Sequence, residues 1–124
     1  MTRICAALLT FFILDGVARA ADILQPDEAI DHIGEPARVC GIVASAKFAD
    51  RVRGQPTFLN LGKPYPQHVF TALVWGADRG SFSYAPESLQ GTEICVQGTI
   101  AAYRGRAEII VKQPSQITAG ARQR

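Results

Sequence analysis

Little in this chain is equipped for covalent or redox chemistry. Its 124 residues hold three cysteines, two histidines, one methionine and one tryptophan. No two cysteines have the Cys-x-x-Cys spacing, which excludes a dithiol redox motif. His32 and His68 are distant from each other and from the cysteines in sequence, so they make no zinc-type ligand pattern. His68 is a lone histidine on a strand with no serine or cysteine elbow beside it, and no phosphate-cradling glycine motif occurs. The acids after residue 36 (Asp50, Asp78, Glu87, Glu93, Glu108) are scattered rather than clustered. Beyond residue 20 there is no long apolar run, so no stable membrane insertion is expected. There is no internal repeat and no low-complexity tract. Catalytic residues, metal ligands and cofactors are all expected to be none, which directs attention to binding.

What is present begins with an export signal. Met1–Arg3 supply a positive start, Ile4–Leu14 an apolar run of eleven residues, and Ala18–Ala20 a small-x-small pattern. This reads as a signal peptide over residues 1–20, cleaved after Ala20, with a run too short to span a bilayer. Cys5 lies at the start of that run and not at its end, so it is not a lipid-attachment cysteine. The expected location is the periplasm or the medium. With Cys5 removed, Cys40 and Cys95 remain, and an oxidising compartment favours their pairing. A disulfide there closes a loop of about 55 residues and contributes roughly 4 kcal/mol; two buried thiols are the alternative.

Charge is unevenly placed. Asp22 to Glu35 holds five acids and no Lys or Arg, whereas Pro36 to Arg124 holds eleven bases against five acids. A basic body behind an acidic leader suits an anionic partner.

The leader, residues 21–35, contains one short helix in "QPDEAIDHIG". Pro26 suits its first position, Asp27 and Glu28 its positive end, and Gly34 its stop, with Ile30 and Ile33 as its apolar side. Strand signals follow: "ARVCGIVASAKF" with Gly41 as a bend, "TFLNL", "HVFTALVW", "TEICVQGTIAAY" and "AEIIVKQ". Between the third and fourth, "GADRGSFSYAPESLQG" reads as a loop with a single helical turn near Asp78–Ser81. That order is the one of an oligonucleotide/oligosaccharide-binding (OB) barrel; an immunoglobulin-like sandwich needs about seven strands. The expectation is therefore an all-β, five-stranded OB-fold barrel with a short N-terminal helix over residues 36–118, and a disordered tail over 119–124. Its first and fourth strands pair, which brings Cys40 and Cys95 together.

In such a barrel the ligand crosses strands two and three, between the loop joining strands one and two and the loop joining strands four and five. Here those loops are "ADRVRGQP", with Arg51 and Arg53, and "YRGR", with Arg104 and Arg106 beside Tyr103. Lys47 and Lys63 stand on the same side. Arginine forks suit phosphates because they donate two parallel hydrogen bonds and keep their charge. Phe58, Tyr65 and Tyr103 offer stacking faces for bases, and alternation in "TFLNL" turns Phe58 and Asn60 outward and Leu59 and Leu61 inward. Phe70 and Trp75 are further stacking candidates, but both faces of "HVFTALVW" are apolar and the core is favoured for each. Charged tips also serve solubility, so the arginines carry both readings. Thermonuclease-type enzymes share the barrel and its arginines, but they need several carboxylates to hold calcium, and "TFLNLGKPYP" has none near it.

The runs "TFLNLGKPYPQHVFTALVWGADR" and "GTEICVQGTIAAYRGRAEIIVKQPSQI" resemble small bacterial OB-fold domains of nucleic-acid- or DNA-binding-like type. Some of these are exported alone and some are attached to nucleases. The resemblance spans about Gly34 to Ile117. It implies a barrel with a nucleic-acid-type face, single-stranded DNA or RNA as ligand, and no catalytic residues. Because export places the chain where nucleic acid is scarce, the alternative is an interaction module for a periplasmic protein or an anionic glycan.

Overall fold

The structure, a computed structural model, describes residues 23–119. The expected signal peptide and the expected tail beyond Ala119 lie outside the described residues. Eight strands form one sheet: β1 (Ile23–Leu24), β2 (Pro36–Phe48), β3 (Thr57–Leu61), β4 (Phe70–Val74), β5 (Glu93–Thr99), β6 (Ala101–Tyr103), β7 (Arg106–Ile110) and β8 (Ile117–Ala119). Their hydrogen-bonded order is β6-β7-β4-β3-β2-β5-β8, with β1 alongside β2. The molecule is thus mostly β with few helices, consistent with an OB-like fold.

Two expectations are corrected. Among the described residues there are eight strands and not five, and the sheet is open rather than closed. Ile100 explains one extra strand: it is buried, and its backbone leaves the ladder to bond Glu35 O (3.0 Å) and Gly34 N (2.7 Å). The expected fourth strand is thereby cut into β5 and β6. Short β1 adds in parallel to β2, and β8 adds antiparallel to β5, with Ala119 paired to Ile94. Thus Ala119, the first residue of the expected tail, belongs to a strand.

The open seam lies between β5 and β7. A Cβ on Gly98 would stand 2.6 Å from Ile109 Cγ2, so the absence of a side chain there lets the two strands approach. Gln116 spans the seam: its Nε2 donates to Gln97 O (3.0 Å) and Ile110 O (3.3 Å), and its Oε1 accepts from Lys112 N (2.7 Å) and Gln113 N (3.2 Å). One amide satisfies four backbone groups that a ladder would otherwise pair.

Strand β2 organises the rest. Its first half pairs with β5 through Pro36–Ile42, and its second half with β3 through Val43–Phe48. A register shift between Val43 and Ser45 makes the corner, two to four residues beyond the expected bend at Gly41. Gly41 has another reason: a Cβ there would meet Pro26 Cγ at 2.7 Å. The bulge also reverses which residues face the core. Ala37, Val39 and Val43 point inward before it, and Ala46 after it. Cys40 and Cys95 are direct cross-strand partners and form a disulfide.

The core joins these strands to Ile94, Val96, Leu59, Leu61, Phe70, Ala72, Val74, Ala107 and Ile109. The leader helix is a 3-10 helix, Pro26–His32, closed by Gly34 at φ 87°. Ile30 and Ile33 were expected to be its apolar side, but both are exposed; Pro26 and Ala29 are buried instead. A period of three residues places positions 26 and 29 on one side. After β4 comes α1 (Gly76–Arg79), whose Arg79 bonds Thr57 Oγ1 (2.7 Å), forks onto Glu87 (2.7 and 3.2 Å) and lies 3.6 Å above the Phe48 ring. That arginine is committed to holding the Asp78–Gln90 excursion onto the sheet. Among the described residues, no helix is long and apolar enough to cross a membrane.

Candidate functional site

The face of β2, β3, β4 and β7 opposite the core is a groove of about 600 Å³, within the usual size of ligand clefts. Alternation after the bulge turns Ser45 and Lys47 into it, along with Phe58 and Asn60 of β3, Thr71 of β4, and Arg106 and Glu108 of β7. Leu59 and Leu61 are fully buried on the other side, as "TFLNL" implied. Phe70 is core as expected. The strand that carries it is shorter than "HVFTALVW": His68 precedes it in the loop and Trp75 follows it.

Trp75, for which the core was favoured over a stacking face, is 39% exposed. It packs on the loop between β2 and β3, where a Cβ on Gly54 would lie 2.9 Å from its Cζ3. That loop is rigid. Ala49 N bonds Pro56 O (2.8 Å), Val52 N bonds Ala49 O (3.1 Å), Gln55 N bonds Val52 O (2.8 Å), and Gly76 N bonds Gly54 O (2.9 Å). The two successive turns fold the chain about Val52, so Ala49 and Val52 line the groove while Arg51 and Arg53 are exposed and outside its lining. Lys63 is likewise exposed and outside it. The turns consume the backbone alternation that would have aimed those arginines inward.

The opposite rim is the two-residue turn Arg104–Gly105 joining β6 to β7, with φ 50° and 77°. Positive φ at both positions matches the twist of a tight hairpin, but a side chain at the first one carries strain of order 1 kcal/mol. Gln55, in the other rim loop, is the second non-glycine with positive φ (47°) among the described residues. Arg104 stands 5.3 Å over the Tyr103 ring, and both line the groove. The structure therefore does bring the two loops to one groove, through Val52 on one side and Tyr103 and Arg104 on the other.

Arg106 is less free than its neighbour. Its guanidinium donates to Pro66 O (2.6 Å) and to His68 Nε2 (3.2 Å), tying β7 to the loop that follows β3. Because arginine only donates, Nε2 accepts and the His68 proton sits on Nδ1, which is buried without a hydrogen-bond partner among the described residues. Burial, and then the Arg106 charge, hold the His68 pKa below its usual value. Tyr65 stacks on His68 at 5.6 Å and forms part of the same wall.

The floor is a polar row. Ser45 is the register partner of Asn60, Asn60 of Thr71, and Thr71 of Glu108, one residue from each of four adjacent strands. Thr71 Oγ1 donates to Asn60 Oδ1 (2.8 Å), Asn60 Nδ2 donates to Ser45 Oγ (3.0 Å), and Tyr65 N donates to Ser45 Oγ (2.9 Å). Glu108 ends the row with no ion pair among the described residues, and burial raises its pKa. Sequence reading reached Asn60 but passed over Ser45, His68, Thr71 and Glu108. A lone acid between Ala107 and Ile109, both fully buried, was the available signal for Glu108. Among the described residues no three His, Cys, Asp or Glu side chains gather as a metal site.

No protein-family model and no curated protein matches the chain. Solved structures do. Asparaginyl-tRNA synthetase from Pyrococcus horikoshii aligns at 17% identity and TM-score 0.53, covering 81% of this chain and 23% of its own. Aspartyl tRNA synthetase from Entamoeba histolytica aligns at 15% and 0.52, covering 82% and 22%. OBody AM1L10, bound to hen egg-white lysozyme, aligns at 16% and 0.52, covering 86% of this chain and 99% of its own. The chain thus spans less than a quarter of the synthetases' length. These likenesses show an OB-like fold and carry no information on export or on a bacterial setting.

Proposed function

We propose that this chain is a non-enzymatic OB-like module that binds single-stranded nucleic acid along the groove. One observation carries the reading: three aromatic rings (Phe58, Tyr65, Tyr103) and three cations (Lys47, Arg104, Arg106) line a single open cleft. Bases stack on the rings, each contributing about 1–3 kcal/mol, while phosphates run along the cationic rim. Arg104 and Lys47 face the backbone directly. Arg51, Arg53 and Lys63 act at longer range by raising the local positive potential. The likeness to two tRNA synthetases is in keeping with a nucleic acid as ligand. The export signal read in residues 1–20 supports a place for the module in the periplasm or the medium.

The test is a titration of fluorescent single-stranded DNA with the disulfide-bonded chain at two salt concentrations. Micromolar to submillimolar binding is expected at low salt. With about three phosphates contacted, affinity falls roughly 20-fold between 50 and 200 mM salt. Arg104→Ala with Lys47→Ala reduces both the affinity and the salt slope. Absence of oligonucleotide binding at low salt sinks the proposal and turns attention to a periplasmic protein or anionic glycan in the same groove, the OBody's lysozyme being a protein ligand on this fold.

A further inference from the structure

We propose that the groove selects guanine, and that Glu108 at the end of the Ser45–Asn60–Thr71 row makes the selection by accepting two hydrogen bonds from one base edge. The inference rests on the nucleic-acid reading above and adds to it which base is held.

A carboxylate on the floor of a cleft rimmed by cations poses a question of placement. A phosphate lying on the floor meets Glu108 with like charge, so phosphates belong at the rim with Lys47 and Arg104. The floor then receives the uncharged end of a nucleotide. Its position suits this role, since Glu108 is half-buried, lines the cleft and forms no ion pair among the described residues. Arg106, two residues away on the same strand face, is already engaged by Pro66 O and His68.

The base follows from donor geometry. An ionised carboxylate only accepts and offers two oxygens side by side. Guanine presents adjacent N1–H and N2–H donors, which meet both oxygens. Cytosine and adenine each pair one amino donor with a ring nitrogen that accepts, so one carboxylate oxygen faces a lone pair. Uracil and thymine offer a single N3–H between two carbonyls, which repels the carboxylate on both sides. Farther along the row, the Ser45 hydroxyl accepts from Tyr65 N and Asn60 Nδ2, which leaves its own proton free to donate. A second Asn60 amide proton is similarly uncommitted among the described residues. Those donors lie two and three strands from Glu108, roughly 10 and 14 Å away at a strand spacing of about 4.8 Å, and so beyond the edge of a base held by the carboxylate. The preference for guanine therefore rests on the paired carboxylate oxygens of Glu108, which meet N1–H and N2–H together.

The experiment uses the whole disulfide-bonded chain and fluorescent heptamers of dT that carry one central dG, inosine, dA, dC or dT. The dG probe is expected to bind about 5- to 100-fold more tightly than the dA, dC and dT probes. Inosine, which lacks the 2-amino group, falls between. Glu108→Gln removes the preference for dG while retaining salt-sensitive binding to all five probes. The inosine series needs no variant and so stands even if that substitution disturbs folding. Equal affinity for all five probes, with binding intact, overturns the base selection and leaves the nucleic-acid groove standing. Failure of every probe to bind overturns both.

Discussion

The two halves of β2 lead different lives. Residues Pro36–Ile42 pair with β5, carry a disulfide across the ladder and send Ala37 and Val39 into the core. Residues Val43–Phe48 pair with β3 and place Ser45 and Lys47 in an open groove. Around the first half, backbone groups at breaks in the ladder are met by Gln116 and Glu35. Around the second are the features folding alone does not favour among the described residues: Glu108 without an ion pair, a buried His68 Nδ1 without a partner, and two non-glycine residues at positive φ. Strain and unmet polarity concentrate where a ligand is proposed, and the stabilising devices concentrate on the other side of the bulge. One strand thus divides the molecule into a stapled half and a working half.

The largest test of that division removes the staple. Cys40→Ala with Cys95→Ala is expected to lower stability by roughly 4 kcal/mol in urea denaturation, from the entropy of the loop closed by the disulfide. Oligonucleotide affinity of the folded fraction stays unchanged. A matching loss of affinity would show that the halves are coupled. Next is the seam: Gly98→Ala pushes a Cβ against Ile109 and is expected to cost about 1–3 kcal/mol, again with affinity retained.

A smaller effect comes from pH and belongs to the groove. His68 is held neutral in the fold, so the unfolded chain binds more protons than the folded one below about pH 6.5. Stability is expected to be full above that pH and to fall as pH drops through the lowered folded pKa. Protonation also sets a second positive charge against Arg106 and removes the acceptor at Nε2. Glu108 acts in the opposite direction, because its raised pKa favours the folded state as its carboxyl gains a proton. The urea midpoint of the wild type minus that of His68→Gln, followed from pH 7.5 to 5.5, isolates the histidine. A flat difference would refute its role.

Smallest in stability, and opposite in sign, is Arg104→Asn. Asparagine tolerates positive φ and precedes Gly105, the pairing preferred in two-residue hairpins, so stability is expected to rise by up to about 1 kcal/mol. Affinity for single-stranded DNA falls at the same time. A gain in stability with no loss of binding would make the tip a solubility device only.

Much of the stapled half was legible. Two cysteines outside the expected export signal, each in a strand-like run, implied the bridge, and the order of strands with one insertion implied the OB-like plan. The two-residue turn at Arg104–Gly105 could be read from the glycine between two strand runs. In the groove, "TFLNL" showed its outward residues because strict alternation survives within a short strand. The bulge after Val43 was not visible, since an extra residue in a strand changes nothing in composition. Arg51 and Arg53 looked equivalent to Arg104 and Arg106 by spacing alone. Their separation comes from hydrogen bonds between Ala49, Val52, Gln55 and Gly54, which pair residues across two turns and against Trp75.

Local chemistry along the chain was enough to specify which segments extend and where they turn, because period and turn residues act over a few neighbours. The assembly of Ser45, Asn60, Thr71 and Glu108 into one row was decided only by the register of four strands that are up to 63 residues apart in the chain. Register follows from how the buried faces pack against each other. A polar residue's role in such a row therefore depends on hydrophobic partners that it never touches.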